Sequence, residues 1–323
     1  MRLSRKHQMN RKMPLKNALI LLTAATIWGT AFVAQSVGMD YMGPFTFNGL
    51  RYYLGALVLV PAIVLRRAAE KRAFEQRAKH PEGIDGESPG PSVKRILTGG
   101  CLCGFFLCVA SNLQQFAIIS VDVGKAGFLT AMYIVIVPVL AFFVTRRTSL
   151  RLWISVALAC AGLYFLSISG GMRLETGDLA LIGCAAVFSL HIMCIDRFGD
   201  VDGVVLSCLQ FLVAGTLSML AAFLREMISP AALAAGWFPV VYAGIFSCGI
   251  AYTFQIIGQK GVDPAIASLI LSLESVVSVL AGFLLLGQAL SARELLGCVL
   301  MFAAIILVQL PEPGERREDV VET

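Results

Sequence analysis

The stretch LILSLESVVSVLAGFLLL, Leu269 to Leu286, is almost wholly apolar but contains one carboxylate, Glu274. As an α-helix its 18 residues would be about 27 Å long, close to the roughly 30 Å thickness of a bilayer's hydrocarbon core. An acidic side chain at that depth is unfavourable unless it faces protein or a water-filled cavity. The role of Glu274 therefore depends on the surroundings of this helix.

The composition indicates an integral membrane protein. Of the 323 residues, 57% are hydrophobic and 15% are charged, with a mean hydropathy of +0.78. An ordinary soluble domain is about 45–50% apolar and about 25% charged. Ten apolar runs are long enough to span a bilayer as helices. Their approximate limits are 16–35, 46–66, 95–118, 123–145, 150–169, 178–196, 203–225, 236–258, 263–286 and 291–310. The predicted fold class is an all-α integral membrane protein with ten transmembrane helices.

The distribution of Lys and Arg predicts that both termini are cytoplasmic. Basic residues are retained on the cytoplasmic side, and the N-terminal segment 1–15 is strongly basic. With ten spans, the loops on that side hold 21 Lys and Arg, counting the adjacent span ends, and the opposite loops hold 4. The predicted location is the plasma (inner) membrane. The net charge of +5 suits loops that face anionic lipid headgroups, so no nucleic-acid partner is expected.

An internal repeat divides the spans into two groups of five. Laying 111–145 on 252–286 gives six identities, which are Gln114 with Gln255, Val121 with Val262, Asp122 with Asp263, Ala126 with Ala267, Val135 with Val276 and Phe142 with Phe283. Because each half has an odd number of spans, the second half enters the membrane with the opposite orientation. The predicted domains are two inverted five-helix repeats, 16–169 with a cytoplasmic loop at 67–94, and 177–310. A basic N-terminus, 1–15, and a cytoplasmic tail, 311–323, flank them.

Four motifs, in this order, resemble the EamA-type branch of the drug/metabolite transporter superfamily over about residues 16–310. They are AATIWGTAFVAQ (24–35), NGLRYYLGALVLVP (48–61), VDVGKAGFLTAMYIVIVPVLAF (121–142) and VDPAIASLILSLESVVSVLAGFLLLGQALS (262–291). The chain departs from the family pattern at Ser275, where Pro commonly follows the Glu, and at Gln288, where an acid is common. The resemblance implies transport of small metabolites, often export of amino acids or toxic compounds, by alternating access without ATP hydrolysis.

Polar and aromatic residues inside the predicted spans are the candidate substrate-binding residues. Each polar group should face protein or a wet cavity, because lipid cannot satisfy it. The candidates are Trp28, Arg51, Asn112, Gln114, Gln115, Tyr133, His191, Tyr252, Gln255 and Glu274. No catalytic residue, metal site or cofactor is predicted, since the nine cysteines fall within spans, where Cys acts as a small apolar residue.

Several of these candidates also have a structural interpretation. Arg51 could extend to the interface, pair with a carboxylate or helix end, or hold an anionic substrate group. The amides could line a cavity or only join helices, and Trp28 could line a cavity or only pack. His191 could carry a proton or be a hydrogen-bonded structural imidazole.

Glu274 lies eleven residues after Asp263, about 16 Å along a helix and thus near the bilayer midplane. Three arrangements would make it tolerable: protonation, pairing with Arg51, Lys125 or His191, or exposure to a wet cavity. It is either a hydrogen bond that joins helices or a site that responds to protons or a cationic substrate.

The sequence favours a secondary-active transporter, an exporter of small metabolites such as amino acids or toxic amphipathic compounds. Its expected partners are a small-molecule substrate and the lipid bilayer, and proton coupling is one option. The alternatives are a membrane-embedded enzyme, for which no catalytic motif is recognisable, and a non-transporting scaffold subunit. Substrate identity, direction, coupling ion and oligomeric state are left open.

Overall fold

A computed structural model describes residues 13–78, 90–121, 123–145, 149–167, 175–286 and 291–310. Every regular element in these ranges is helical, which confirms the all-α prediction. The helices are α1 (Leu15–Gly38), α2 (Pro44–Ala78), α3 (Val93–Ile118), α4 (Val123–Ala131), α5 (Tyr133–Thr145), α6 (Leu150–Ser167), α7 (Thr176–Arg197), α8 (Gly203–Arg225), α9 (Pro230–Ala235), α10 (Trp237–Tyr242), a π segment (Ala243–Tyr252), α11 (Thr253–Gln259), α12 (Pro264–Leu271), α13 (Glu274–Leu286) and α14 (Ala292–Gln309). Asp122, most of the N-terminal segment, the middle of the long loop and the C-terminal tail lie outside the described residues.

Eight helical stretches in the described ranges are long and apolar enough to cross a membrane. They are Leu15–Gly38, Pro44–Ala69, Val93–Ile118, Val123–Val144, Thr176–Arg197, Gly203–Arg225, Trp237–Gln259 and Pro264–Leu285. The predicted fifth span is a shorter apolar helix, Leu150–Phe165, and the predicted tenth is α14. The chain is a multi-pass membrane protein, and a total of ten spans remains a prediction.

The helices of the two predicted halves pack mainly on each other. α2 lies along α8, α6 lies along α14, and α3 contacts both α7 and α8, while α1 packs on α13, the π segment and α11. Small residues allow these approaches. A Cβ added at Gly162 of α6 would lie 2.9 Å from the Gly297 carbonyl of α14, and one at Gly55 of α2 would lie 2.6 Å from Cys248 Cβ. The interior is therefore an interface between the halves.

The fourth and ninth predicted spans are both interrupted near their middles. One residue separates α4 from α5, and two residues separate α12 from α13. At each break the backbone bonds tighten to three-residue spacing, from Met132 N to Leu129 O (3.3 Å) and from Leu273 N to Ile270 O (3.1 Å). Met132 and Leu273 are equivalent in the repeat alignment. The two halves thus break at the same place.

The eighth predicted span has a different irregularity. Its central ten residues form the π segment, flanked by α10 and α11. π-helical turns are rare and are frequently found at functional sites. This one ends at Tyr252, which is 5% exposed and lies beside the central cavity.

Candidate functional site

A cavity of about 460 Å³, including some space open to solvent, lies between the two halves. The residues on its wall are Trp28, Phe32, Gln35, Arg51, Gln114, Thr130, Tyr133, Phe188, Ile192, Ser247, Tyr252, Gln255, Leu271 and Glu274. Seven of the sequence candidates are among them, namely Trp28, Arg51, Gln114, Tyr133, Tyr252, Gln255 and Glu274.

The other three candidates lie away from the cavity wall and join helices. Gln115 Nε2 donates to the Gln35 carbonyl at 3.0 Å and so ties α3 to α1. His191 Nε2 and Gln210 Oε1 are 3.0 Å apart and connect α7 with α8. These contacts match the structural interpretation of both residues.

Asn112 belongs to a separate buried network. Its Nδ2 donates to Ser218 Oγ at 2.9 Å, and its Oδ1 accepts from Asn48 Nδ2 at 2.9 Å. The three residues sit on α3, α8 and α2, so the network holds three helices together. Buried amides that hydrogen-bond across helices contribute to helix association in lipid.

Seven wall residues were not singled out by the sequence. They are Phe32, Gln35, Thr130, Phe188, Ile192, Ser247 and Leu271. Four of these are apolar, and an apolar residue in a membrane helix has no signal that separates a cavity wall from lipid. Gln35 does carry a signal, since a buried amide inside a span meets the same criterion as Gln114.

Glu274 is 5% exposed and is the first residue of α13. Tyr133, the first residue of α5, donates from its Oη to Glu274 Oε1 at 2.9 Å. The two residues are 141 positions apart, which is the offset of the repeat alignment, so equivalent positions of the two halves touch. A pair with a cation, one of the three arrangements considered for Glu274, is not formed with any described residue. Lys125 instead pairs with Asp178 at 2.7 Å, and the carboxylate faces the cavity.

Arg51 is 1% exposed, so it does not extend to the interface. Its Nη1 donates to Gln35 Oε1 at 3.0 Å and its Nη2 to Tyr52 Oη at 3.3 Å. The guanidinium carbon lies 5.0 Å from the Tyr52 ring centre and 5.7 Å from that of Phe47. Its Nε has no hydrogen-bond partner, and no described carboxylate pairs with it.

Two amides at equivalent repeat positions, Gln114 and Gln255, both line the cavity. Gln114 Nε2 donates to Thr130 Oγ1 at 3.2 Å, while the Oε1 of Gln255 is buried without a partner. A buried acceptor without a partner is unfavourable, and a bound molecule could satisfy it. The symmetric placement agrees with the repeat alignment.

Trp28 both packs and lines the cavity. Its ring lies edge-on to Tyr252 with centroids 4.7 Å apart, and its Nε1 donates to the Ser247 carbonyl at 3.2 Å. Because Ser247 is in the π segment, this bond fixes the irregular part of the eighth span against α1.

Comparison with known families decides the classification. The model of the EamA-like transporter family matches residues 15–168 and again 175–310. The chain belongs to the EamA-like transporter family.

Full-length relatives of this EamA-like chain are named as transporters. An uncharacterized transporter of Archaeoglobus fulgidus is 24% identical over 300 residues, 90% of this chain and 84% of the relative. The uncharacterized inner membrane transporter YedA of Escherichia coli K12 is 24% identical over 92% of this chain and 91% of its own. Transporter YoaV of Bacillus subtilis, also uncharacterized, is 23% identical over 91% and 96%. One solved crystal structure, 22% identical, shares the fold with a TM-score of 0.71 over 91% of this chain and 96% of that one.

Ion pairs attach the link between α7 and α8 to α2 and α3 at one end of this EamA-like bundle. Arg95 Nε and Nη2 each lie 2.5 Å from an oxygen of Asp200, and Arg66 Nη1 lies 2.6 Å from Asp202. Both acids lie in the link between α7 and α8, while Arg66 and Arg95 belong to α2 and α3. The hydrogen bond from Arg95 holds the pKa of Asp200 below its usual value. The cavity and this end of the bundle therefore differ. No ion pair of the described residues lies between two residues of the cavity wall, whereas two ion pairs attach the α7–α8 link to α2 and α3.

Proposed function

We propose that the protein is a secondary-active exporter that moves a small metabolite through the central cavity by alternating access. The observation that carries this is the composition of the cavity wall. Both family-model matches contribute residues to it, and two of its buried polar atoms, Arg51 Nε and Gln255 Oε1, have no hydrogen-bond partner among the described residues. A transporter needs such a site between two bodies that can move relative to each other.

The packing of the helices supports an inverted arrangement of the halves. Equivalent helices contact each other, as α2 does with α8 and α6 with α14. Non-equivalent contacts occur in matching pairs, since the first span packs on the ninth (α1 on α13) and the sixth on the fourth (α7 on α4 and α5). Exchanging the halves leaves this pattern nearly unchanged, as expected of a two-fold axis. Rocking about that axis would expose the cavity to each side in turn.

Proton coupling would reside at Glu274, the only acid among the described cavity residues. When the cavity is open to water, the carboxylate can exchange a proton with that side. When the cavity closes, an unpaired ionised carboxylate is unfavourable, so the closed state selects either the protonated acid or a carboxylate paired with a cationic group of the substrate. The hydroxyl of Tyr133, 2.9 Å away, can hydrogen-bond to either form.

The test is solute flux in proteoliposomes. Purified protein is reconstituted in vesicles loaded with a defined mixture of amino acids, small organic acids and amines, and the efflux of each is followed by mass spectrometry. We expect protein-dependent efflux of a subset, faster when the outside is more acidic if a proton enters as substrate leaves. Chemical conversion of a solute would point to an enzyme. No flux above protein-free vesicles would contradict the proposal.

Orientation is tested by cysteine labelling in a cysteine-free background. Gly90, before α3, lies on the predicted cytoplasmic side, and Met227, after α8, is fully exposed on the opposite side. In intact cells a membrane-impermeant maleimide should label Met227→Cys and leave Gly90→Cys unreacted until the membrane is opened. The reverse pattern would overturn the placement of both termini in the cytoplasm.

A further inference from the structure

Arg51 is a buried cation that proton coupling at Glu274 does not use. Its guanidinium has five N–H donors, and the structure occupies two of them, with Gln35 and Tyr52. The Nε is buried and has no partner. The nearby aromatic rings of Phe47 and Tyr52 stabilise the charge in part. They cannot supply the hydrogen-bond acceptor that the Nε–H lacks.

The other described acids near helix ends do not supply this acceptor. Asp178, Asp200 and Asp202 each pair with another cation, at Lys125, Arg95 and Arg66. A buried charge without a counter-ion is strongly unfavourable in a membrane interior. Since Arg51 lies on the cavity wall, a bound anion can be its counter-ion.

Arg51 and Glu274 occupy different levels of the same cavity. A Cβ added at Gly29 of α1 would lie 2.7 Å from the Glu274 carbonyl, so Gly29 marks the level of the acid. Gln35, which binds Arg51, is six residues further along α1, about 9 Å at the helical rise. The ion pairs of the described residues include none between Arg51 and Glu274, so a molecule in the cavity can meet a guanidinium and a carboxyl group at different levels of the wall.

We propose that Arg51 binds a carboxylate of the transported molecule, which makes the substrates small organic acids. This rests on the transport function proposed above and adds the chemical class of the substrate. The Nε–H and a neighbouring Nη–H form a planar fork that matches the two oxygens of a carboxylate. Arg51 is the only cation among the described wall residues, so one negative charge is matched, which favours a carboxylate over a doubly charged phosphate. The aromatic wall at Trp28, Phe32 and Phe188 suits an apolar body.

Matched acid and amide pairs test the class of ligand directly. The melting temperature of purified protein in detergent is measured with benzoate and benzamide, 4-methylpentanoate and 4-methylpentanamide, and leucine and leucinamide. A bound ligand raises the melting temperature with concentration. We expect at least one acid to do so and its amide, which has nearly the same shape but lacks the negative charge of the carboxylate, to have a much smaller effect. If no acid stabilises the protein, or if amides match their acids, the proposal is wrong.

Variants then locate the carboxylate. Arg51→Lys keeps the charge but not the fork, so the apparent affinity for the stabilising acid should fall about tenfold or more, roughly the loss of one charge-assisted hydrogen bond. Gln35→Leu removes the acceptor that orients the guanidinium and should lower the affinity less. Arg95→Lys is the matched control, the same exchange outside the cavity, and should leave the affinity unchanged. If Arg51→Lys does not fold, the acid affinity of Gln35→Leu tests the role of Arg51 instead.

The outcomes separate this proposal from the transport function. Unchanged acid affinity in both Arg51→Lys and Gln35→Leu would overturn the role of Arg51. Protein-dependent flux in vesicles that Arg51→Lys leaves intact for every transported solute would overturn it too, while preserving transport. Acid binding that depends on Arg51, without any flux, would instead contradict the transport function and keep the binding site.

Discussion

The fourth predicted span, α4 and α5, and the ninth, α12 and α13, break at equivalent residues, yet one resumes with the phenol of Tyr133 and the other with the carboxylate of Glu274. The backbone plan is shared, because both breaks tighten to three-residue hydrogen bonds at the same point. The side chains that meet there are unlike and bond to each other at 2.9 Å. The repeat thus conveys where the helices break, while the chemistry differs between the halves.

The second and seventh spans show the same relation. Laying 48–57 on 207–216 pairs Tyr52 with Phe211, and these rings stack with centroids 5.9 Å apart. The same alignment pairs Arg51 with Gln210. Arg51 faces the cavity, whereas Gln210 bonds His191 away from the wall. One half therefore contributes a cation and the other an acid to the cavity.

The largest expected effect comes from removing the acid while keeping its partner. Glu274→Gln preserves shape and can still accept a hydrogen bond from Tyr133, but it has no titratable proton. We expect normal insertion and melting temperature, loss of accumulation driven by a pH gradient, and retained exchange down a substrate gradient. Vesicle flux with and without a pH gradient measures this.

The matched change in the other half is Tyr133→Phe, which removes the hydroxyl and leaves the acid. Pumping should persist with a reduced rate, about tenfold at most, since one hydrogen bond to a charged group is worth about 1.5–3 kcal/mol and water can replace part of it. Equal losses in the two variants would mean that the pair acts only as a structural tie. Gradient-driven accumulation by Glu274→Gln would contradict the coupling role.

A smaller effect, on the free energy of unfolding, is expected at Ser275, the residue after Glu274, where the two halves also differ. Ser275 donates from Oγ to the Gly127 carbonyl at 3.0 Å and so ties α13 to α4, while its equivalent, Ile134, is apolar. Ser275→Ala should lower the free energy of unfolding by about 1 kcal/mol. Thermal or denaturant unfolding in detergent measures it.

Ile134→Val is the matched control in the other half and removes one methylene, typically about 0.5–1.5 kcal/mol. The two variants differ in what they do to transport. Loosening the contact between α4 and α13 should change flux in Ser275→Ala more than in Ile134→Val. An unchanged stability of Ser275→Ala would show that this bond is replaced by another within the helix.

The smallest effect concerns the links at the ends of the bundle. Asp200, between α7 and α8, is held by Arg95, whereas Asp40, at the corresponding point between α1 and α2, forms no ion pair with a described residue. A lowered pKa in the folded state means that the pair stabilises the fold above the unfolded pKa, about 3.9, and that this is lost as pH falls through the folded value. The partly exposed pair is worth about 0–1 kcal/mol.

Melting temperatures of Asp200→Asn and Asp40→Asn across acidic pH measure that difference. At pH 6 the first variant should be slightly less stable than the wild type, and the gap should close towards pH 3. Asp40→Asn removes no ion pair to a described residue, so its melting temperature at pH 6 should equal that of the wild type. A gap at Asp200 that does not depend on pH would assign the loss to geometry rather than charge.

Much of this architecture could be predicted from the sequence because its signals are strong. Apolar runs indicate the membrane helices, and the alignment of the halves brought Gln114 and Gln255 to one cavity. The same offset pairs Tyr133 with Glu274. Equivalent residues that lie near a two-fold axis contact each other, so the repeat alignment could have predicted this contact.

Other features have no clear signal in one sequence. At the helix breaks and in the π segment, the packing of the helices determines which carbonyl each backbone N–H binds. Hydropathy does not predict this choice. Phe32 and Phe188 line the cavity but resemble lipid-facing residues in sequence. Conversely, His191 and Gln115 meet the sequence criterion for site residues, and their hydrogen bonds join helices away from the cavity wall.

The unlike pairs have a consequence for the direction of transport. If the halves are inverted, exchanging them turns the molecule upside down. A perfectly self-similar bundle would then have inward-open and outward-open forms that are related by the two-fold axis and equal in energy. Arg51 against Gln210 and Tyr133 against Glu274 remove that degeneracy, because exchanging the halves moves the cation to the position of Gln210 and the acid to the position of Tyr133. The energy difference between the inward-open and outward-open forms, and with it the preferred direction of transport, would then come from the residues that differ between the halves.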